Sequence, residues 1–164
     1  MIKVGILTAS DKGFKGERED KSGRVIEERI AEIDGQVIDY IICPDERKAI
    51  AQELTRMTDE LHLDLILTTG GTGFSPRDIT PEATKDVIER EAPGIAEAIR
   101  AESMKITNRA MLSRATSGIR GKTLIINMPG SPKAVNEALD VILPALPHGI
   151  EILKGQTGEC AREE

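Results

Sequence analysis

The chain has 164 residues, 30% charged and 39% hydrophobic, a size that holds one domain with a proper core and a composition ordinary for a soluble globular protein. No Trp, one Tyr and two Phe leave an aliphatic core and no base-stacking platform for single-stranded nucleic acid. A net charge of −6 and a pI near 5.1 exclude broad nucleic-acid or membrane-surface binding, which needs a basic face, but not a small anion held by a local nest of N–H groups.

Residues 4–8 are a short apolar run that ends at Ser10-Asp11 and reads as a first strand. Residues 12–21 form a charged, glycine-containing loop. Ser22 is placed as the cap of a helix carrying Val25, Ile26, Ile30 and Ile33 on one side, stopped by Gly35. Residues 37–43 are a second strand. Pro44-Asp45 opens a second helix, where Ile50, Leu54, Met57 and Leu61 recur at helical spacing. Residues 63–68 are a third strand, ending in paired threonines and a glycine-rich turn. Thr80 as N-cap, with Pro81 at the first helical position, predicts a helix over 81–90.

Pro93-Gly94 then interrupts, and Ile95, Ala98 and Ile99 mark another helix. Residues 107–121 are less regular. Residues 123–127 are a fourth strand, followed by a turn at 128–130. Ser131-Pro132 caps a helix with Val135, Ala138, Leu139 and Ile142 on its inner face. Pro144 and Pro147 break a final helical segment ending near Leu153. The reading is one domain over residues 1–154 and a polar C-terminal tail over 155–164.

Two cysteines, Cys43 and Cys160, show no metal-ligand spacing, and they indicate no disulfide framework, which points to a reducing cytoplasm. The N-terminal apolar run is strand-length and reads as neither signal peptide nor membrane span. His62 and His148 have no nearby nucleophile or ligand partner in sequence and are read as structural or solvated.

Alternating strand and helix with continuous apolar strands predicts an α/β fold, its parallel sheet covered by helices on both faces. Ligands in such folds bind beyond the carboxyl ends of the strands. The unusual residues all fall there: Ser10-Asp11, Pro44-Asp45, Gly70-Gly71-Thr72-Gly73 and Asn127-Met128-Pro129-Gly130-Ser131.

Residues 70–73 are the clearest anion nest. No Lys-Ser/Thr pair follows, so they are not a Walker A loop, and G-x-G-x-x-G spacing is absent. A bare GGTG is equally a tight strand-to-helix turn, but Thr72, Ser75, Arg77 and Asp78 tilt it toward phosphate. Asp45 and Asp78 taken singly read as helix caps. At the ends of adjacent strands they become a carboxylate pair for Mg²⁺, which takes one or two carboxylates plus substrate phosphates. The turn at Asn127, Pro129, Gly130 and Ser131 offers a helix N-terminus to a phosphate or ribose hydroxyl, or is simply a capped turn.

SDKGFKGEREDKSG (10–23), PDE (44–46), TTGGTGFSPRDITPEAT (68–84), AMLSRATSG (110–118) and NMPGSPKAV (127–135) together resemble the MogA/MoaB family of molybdenum-cofactor biosynthesis, the molybdopterin adenylyltransferases. The resemblance implies a three-layer α/β/α sandwich with a mostly parallel sheet, assembled as a trimer or a hexamer of two trimers. It implies that Mg-ATP adenylylates the terminal phosphate of molybdopterin, releasing pyrophosphate, and that the product passes to a MoeA-type molybdenum insertase. The family's two important aspartates fall on Asp45 and Asp78, in catalysis and at the metal. Its pterin and phosphate site falls on Gly70, Gly71, Thr72 and Gly73, with Ser75 beside it. Ser10, Asp11, Ser113, Asn127, Pro129, Gly130 and Ser131 are implied substrate contacts. Many members carry Asn where this chain has Ser131. Two rivals use the same nest: a MoaB-type protein that binds molybdopterin without significant adenylyl transfer, and a hydrolase of nucleotides.

Overall fold

The computed structural model describes residues 1–156, so most of the expected tail, with Cys160, lies outside the described residues. The chain runs β1 (Ile2–Ala9), α1 (Asp11–Phe14), α2 (Lys21–Arg29), β2 (Gly35–Cys43), α3 (Arg47–Thr55), β3 (Leu65–Thr69), α4 (Thr80–Val87), β4 (Arg90–Glu91), α5 (Pro93–Met104), β5 (Ser117–Arg120), β6 (Thr123–Met128), α6 (Pro132–Ile142) and α7 (Leu146–Lys154). The six strands form one sheet in the order β2-β1-β3-β6-β5-β4. β2, β1, β3 and β6 are parallel; β5 and β4 continue the sheet antiparallel.

The sheet has a core on each face, as two-sided burial of β1, β3 and β6 requires. Val4, Ile6, Leu65, Leu67, Leu124 and Ile126 pack with side chains of α2, α5, α6 and α7. Leu7, Ile66 and Ile125 point the other way, onto Ile50, Leu54 and Met57 and onto Ala83 and Val87 of α4. This is the expected α/β/α layering. Among the described residues no helix is long and apolar enough to cross a membrane.

β1 lies between β2 and β3: the first crossover goes from β1 out to β2, and the next runs back past β1 to β3 on its other side. Such a reversal opens a crevice beyond the carboxyl ends of the two central strands.

Several expectations are corrected. Ser22 does not cap α2: Asp20 does, accepting the Gly23 N–H at 2.9 Å. Ser22 is free to donate its hydroxyl to the Gly130 carbonyl at 2.6 Å. α3 starts later than Pro44, and its inner stripe continues through a π-helical turn, Arg56–Glu60, that buries Met57. α4 stops at Val87, because Ile88 turns extended (ψ 147) and carries the chain into β4. Thr80 is not its N-cap but its first helical residue. Pro93 opens α5 instead of interrupting the chain. Residues 107–121, expected as irregular, contain β5 and a 3-10 turn, Asn108–Leu112.

A candidate active site at the strand ends

A cleft of about 820 Å³ lies beyond the carboxyl ends of β1, β3 and β6. Ser10, Asp45, Gly70, Gly71, Asp78 and Gly130 are among its walls. Backbone forms the floor. Gly70 and Gly71 take φ of 88° and 69°, in the left-handed region that favours glycine. A Cβ on Gly70 would lie 2.4 Å from the Ala9 carbonyl oxygen, and one on Gly71 2.3 Å from Thr80 Oγ1. The loop therefore comes this close to β1 and α4 only without side chains. Across the cleft, Thr69 Oγ1 donates to the Pro129 carbonyl at 2.6 Å and Ser22 Oγ to the Gly130 carbonyl at 2.6 Å. Those two bonds fix the peptide planes of the turn that leads into α6.

Three carboxylates converge beside this floor, in different electrostatic situations. The Asp11 N–H donates to Asp45 Oδ2 at 2.8 Å, and the Asp45 N–H returns a bond to Asp11 Oδ1 at 3.0 Å. Asp11 also pairs with both ends of the Arg77 guanidinium at 2.9 Å, which holds its carboxyl below the usual range. Asp45 is pushed the other way, by burial first and then by the charges of Asp11 and Asp78. Asp78 Oδ2 accepts the Ser75 N–H at 3.0 Å, which turns the loop back on itself. A half-buried carboxylate pressed by two like charges is a group arranged to meet a cation or a cation-bearing substrate.

Residues 5–148 match a family described as a probable molybdopterin binding domain. The chain belongs to this family. It is 46% identical over 156 residues to the molybdopterin adenylyltransferase of Helicobacter pylori strain J99, covering 94% of this chain and 89% of that protein. Its fold is similar to a crystal structure of the molybdopterin biosynthesis enzyme MoaB from Thermus thermophilus, with a TM-score of 0.90 and 48% identity, covering 97% of this chain and 100% of that one. It is also similar to the tungsten cofactor synthesizing protein MoaB of Pyrococcus furiosus, with a TM-score of 0.80 and 38% identity over 94% of this chain and 96% of that one. The MogA/MoaB resemblance and the α/β fold expected from sequence are both borne out.

Within this molybdopterin-binding fold, Ser10, Asp45, Gly70, Gly71, Asp78, Gly130 and Ser131 line the cleft, and Asp11 is tied to it through Asp45. Thr72, Gly73 and Ser75 lie further along the same loop, and Thr72 is buried. Pro129 contributes the carbonyl held by Thr69. Ser113 sits before β5, where its Oγ accepts the Ala115 N–H at 3.3 Å. Asn127 is not brought to the cleft. Its Nδ2 donates to Thr68 Oγ1 at 3.0 Å and Thr84 Oγ1 at 2.9 Å, and its Oδ1 accepts the Thr116 N–H at 3.1 Å. The buried amide is occupied in tying β6 to β3, α4 and Thr116, the residue before β5.

Two side chains absent from the sequence reading matter here. Asp20 lines the cleft and accepts Thr8 Oγ1 and the Tyr40 hydroxyl, each at 2.6 Å. The second is Arg114. It donates Nε to the Gly73 carbonyl and Nη2 to the Asp78 carbonyl, each at 2.8 Å, and Nη1 to the Glu82 carboxylate. Its own N–H holds the Thr72 carbonyl at 2.8 Å. One residue thus fastens both ends of the loop between Thr72 and Asp78. Asp20 is of a helix-capping residue type, as Ser22 is, so the sequence alone does not single it out; Arg114 has no local signal.

Among the described residues no group of three or more His, Cys, Asp or Glu is arranged to hold a metal. Asp45 and Asp78, the two carboxylates expected at a metal from sequence, both line the cleft.

Proposed function

We propose that the protein is a molybdopterin adenylyltransferase, one domain over residues 1–154, that transfers the adenylyl group of ATP to the terminal phosphate of molybdopterin. The observation that carries this reading is the pairing of acidic Asp45 and Asp78 with a bare glycine floor in one cleft. A protein that only bound a phosphate would gain nothing from two negative charges beside its ligand. The names of its relatives agree, since those from Helicobacter pylori and Escherichia coli are called molybdopterin adenylyltransferases.

In the transfer, a terminal-phosphate oxygen of molybdopterin forms a bond to the α-phosphorus of ATP. The bond from that phosphorus to its β-bridging oxygen breaks, and pyrophosphate leaves with the electron pair. No protein nucleophile is needed. The amides of the 70–73 loop hold phosphate, and the N-termini of α4 and α6 add positive potential. Asp45 and Asp78 would hold Mg²⁺, which when bound would supply neutralisation of the phosphate charge. The fixed loop contributes orientation, a large share of the rate in phosphoryl-type transfers.

The family resemblance supports the further expectations: a homotrimer or hexamer, a cytoplasmic location and a MoeA-type insertase that receives the product. Exposed Met104, Ile106, Met111 and Leu112, at the end of α5 and on the 3-10 turn after it, give self-association an apolar surface. The test is to incubate the protein with Mg-ATP and molybdopterin and detect adenylyl-molybdopterin. Asp45→Ala and Asp78→Ala each cut turnover by about a hundredfold or more while circular dichroism stays that of the folded protein. Wild-type rates in both variants would overturn the proposal.

A further inference from the structure

Thr80 begins α4 with no exposed surface, and its Oγ1 finds no hydrogen-bond partner among the described residues. Burying a hydroxyl without a partner costs its desolvation, so such an atom in a folded protein calls for an explanation. Its surroundings supply one. The point that a Cβ on Gly71 would occupy lies 2.3 Å from Thr80 Oγ1 and 3.4 Å from Asp45 Oδ1. Hydroxyl and carboxylate flank the same stretch of backbone. Asp45 Oδ2 is taken by the Asp11 N–H, and Oδ1 is the oxygen that faces the Gly71 position from the other side. The Thr80 N–H donates to the Gly71 carbonyl at 3.1 Å, which locks the residue to the loop, and β-branching stiffens the side chain. What remains free is rotation of the O–H and a small movement of the Asp45 carboxylate.

We propose that Thr80 is a positioning residue for Asp45, its hydroxyl being the donor reserved for Asp45 Oδ1 when substrate binding draws that carboxylate inward. The inference rests on the adenylyltransferase reading of the same cleft. It also accounts for the cost: a hydroxyl unpaired in one state of the site is a strain that the working state relieves.

The test compares Thr80→Val, which keeps the shape and loses the hydroxyl, with Thr80→Ser, which keeps the hydroxyl. Three quantities are read: melting temperature, Mg-ATP affinity by calorimetry, and adenylyl transfer. Thr80→Val melts at or above wild type, because a methyl replaces an unpaired buried hydroxyl. It binds Mg-ATP about tenfold more weakly and loses about tenfold to a hundredfold in kcat/KM, the range of a hydrogen bond to a charged group. Thr80→Ser recovers most of both losses. Wild-type affinity and turnover in Thr80→Val would overturn the inference, since the hydroxyl is then idle. A melting temperature several degrees below wild type, with losses that track the folded fraction, would overturn it too, since the hydroxyl then has a structural partner. Absence of transfer by the wild-type protein would sink the adenylyltransferase reading alone, and the calorimetry of the two variants would still decide the role of Thr80.

Discussion

Gly71→Ala tests whether the cleft floor depends on glycine. Two costs add. Gly71 sits at φ 69°, where an L side chain meets its own backbone at a cost of about 1–2 kcal/mol. The new methyl would also stand 2.3 Å from Thr80 Oγ1 and 3.3 Å from Thr80 Cβ. That neighbour cannot swing aside, because it is fully buried and stiff at χ1. Overpacking of this kind costs about 1–3 kcal/mol. The sum, about 2–5 kcal/mol, is a large part of the 5–15 kcal/mol total typical of a domain. Urea unfolding would report it as a lower midpoint with an unchanged slope. The double variant Gly71→Ala/Thr80→Ala removes the atom in the way, so it recovers the packing part, about 1–3 kcal/mol, and keeps the backbone part. A single variant within about 0.5 kcal/mol of wild type would refute the reasoning. A double variant with no recovery would refute its packing half.

Arg114→Met removes three side-chain hydrogen bonds from the loop. With the side chain 33% exposed, the discounted loss is about 2–4 kcal/mol. Amide exchange at residues 72–78 rises well above that of the sheet, and Arg114→Lys fails to restore protection, because one ammonium cannot span two carbonyls and a carboxylate; unchanged exchange would reject the clamp. Asp45→Asn is expected to abolish transfer and raise the melting temperature at pH 7. Burial and the charges of Asp11 and Asp78 lift the folded-state pKa of Asp45. Its contribution is therefore intact below the unfolded value, about 3.9, and is lost as pH rises through the folded value. The melting advantage of Asp45→Asn over wild type should appear above that window and vanish in acid. An advantage that stays constant across the range would contradict the linkage.

The parallel strands were legible because burial on both faces leaves nothing but apolar residues in the heart of β3 and β6, bounded by polar turns. The strand ends were legible for the same reason, as the points where that run stops. β5 was missed because Ser117 and Gly118 have no strand signal of their own and are extended by pairing with β6. β4 is two exposed residues whose strand character comes wholly from β5. Capping rules name residue types, not which of two neighbours acts: Asp20 and Ser22 both qualify, and Ser22 is engaged 108 positions away at Gly130. Asn127 shows the limit of reading a rim from sequence. One residue before the turn, the strand's alternation still points it inward, toward Thr84 and Thr68. Arg114 lies 36 positions from Asp78, and nothing local announces that contact.

The order of the sheet also bears on how the chain is made. β6, late in synthesis, lies between β3 and β5. Until residues 123–128 have emerged, β3 presents an open hydrogen-bonding edge and an uncovered apolar strand, the kind of surface that pairs with other chains. The nascent protein therefore passes through a stage in which a wholly apolar strand core waits for a partner some 60 residues downstream, the separation of the Thr123–Leu63 bond. The cleft shares that delay, since the Gly130 turn is its last wall to arrive. Any fragment ending before β6 should be both inactive and sticky, and holding such chains apart on the ribosome becomes a condition for the yield of active protein.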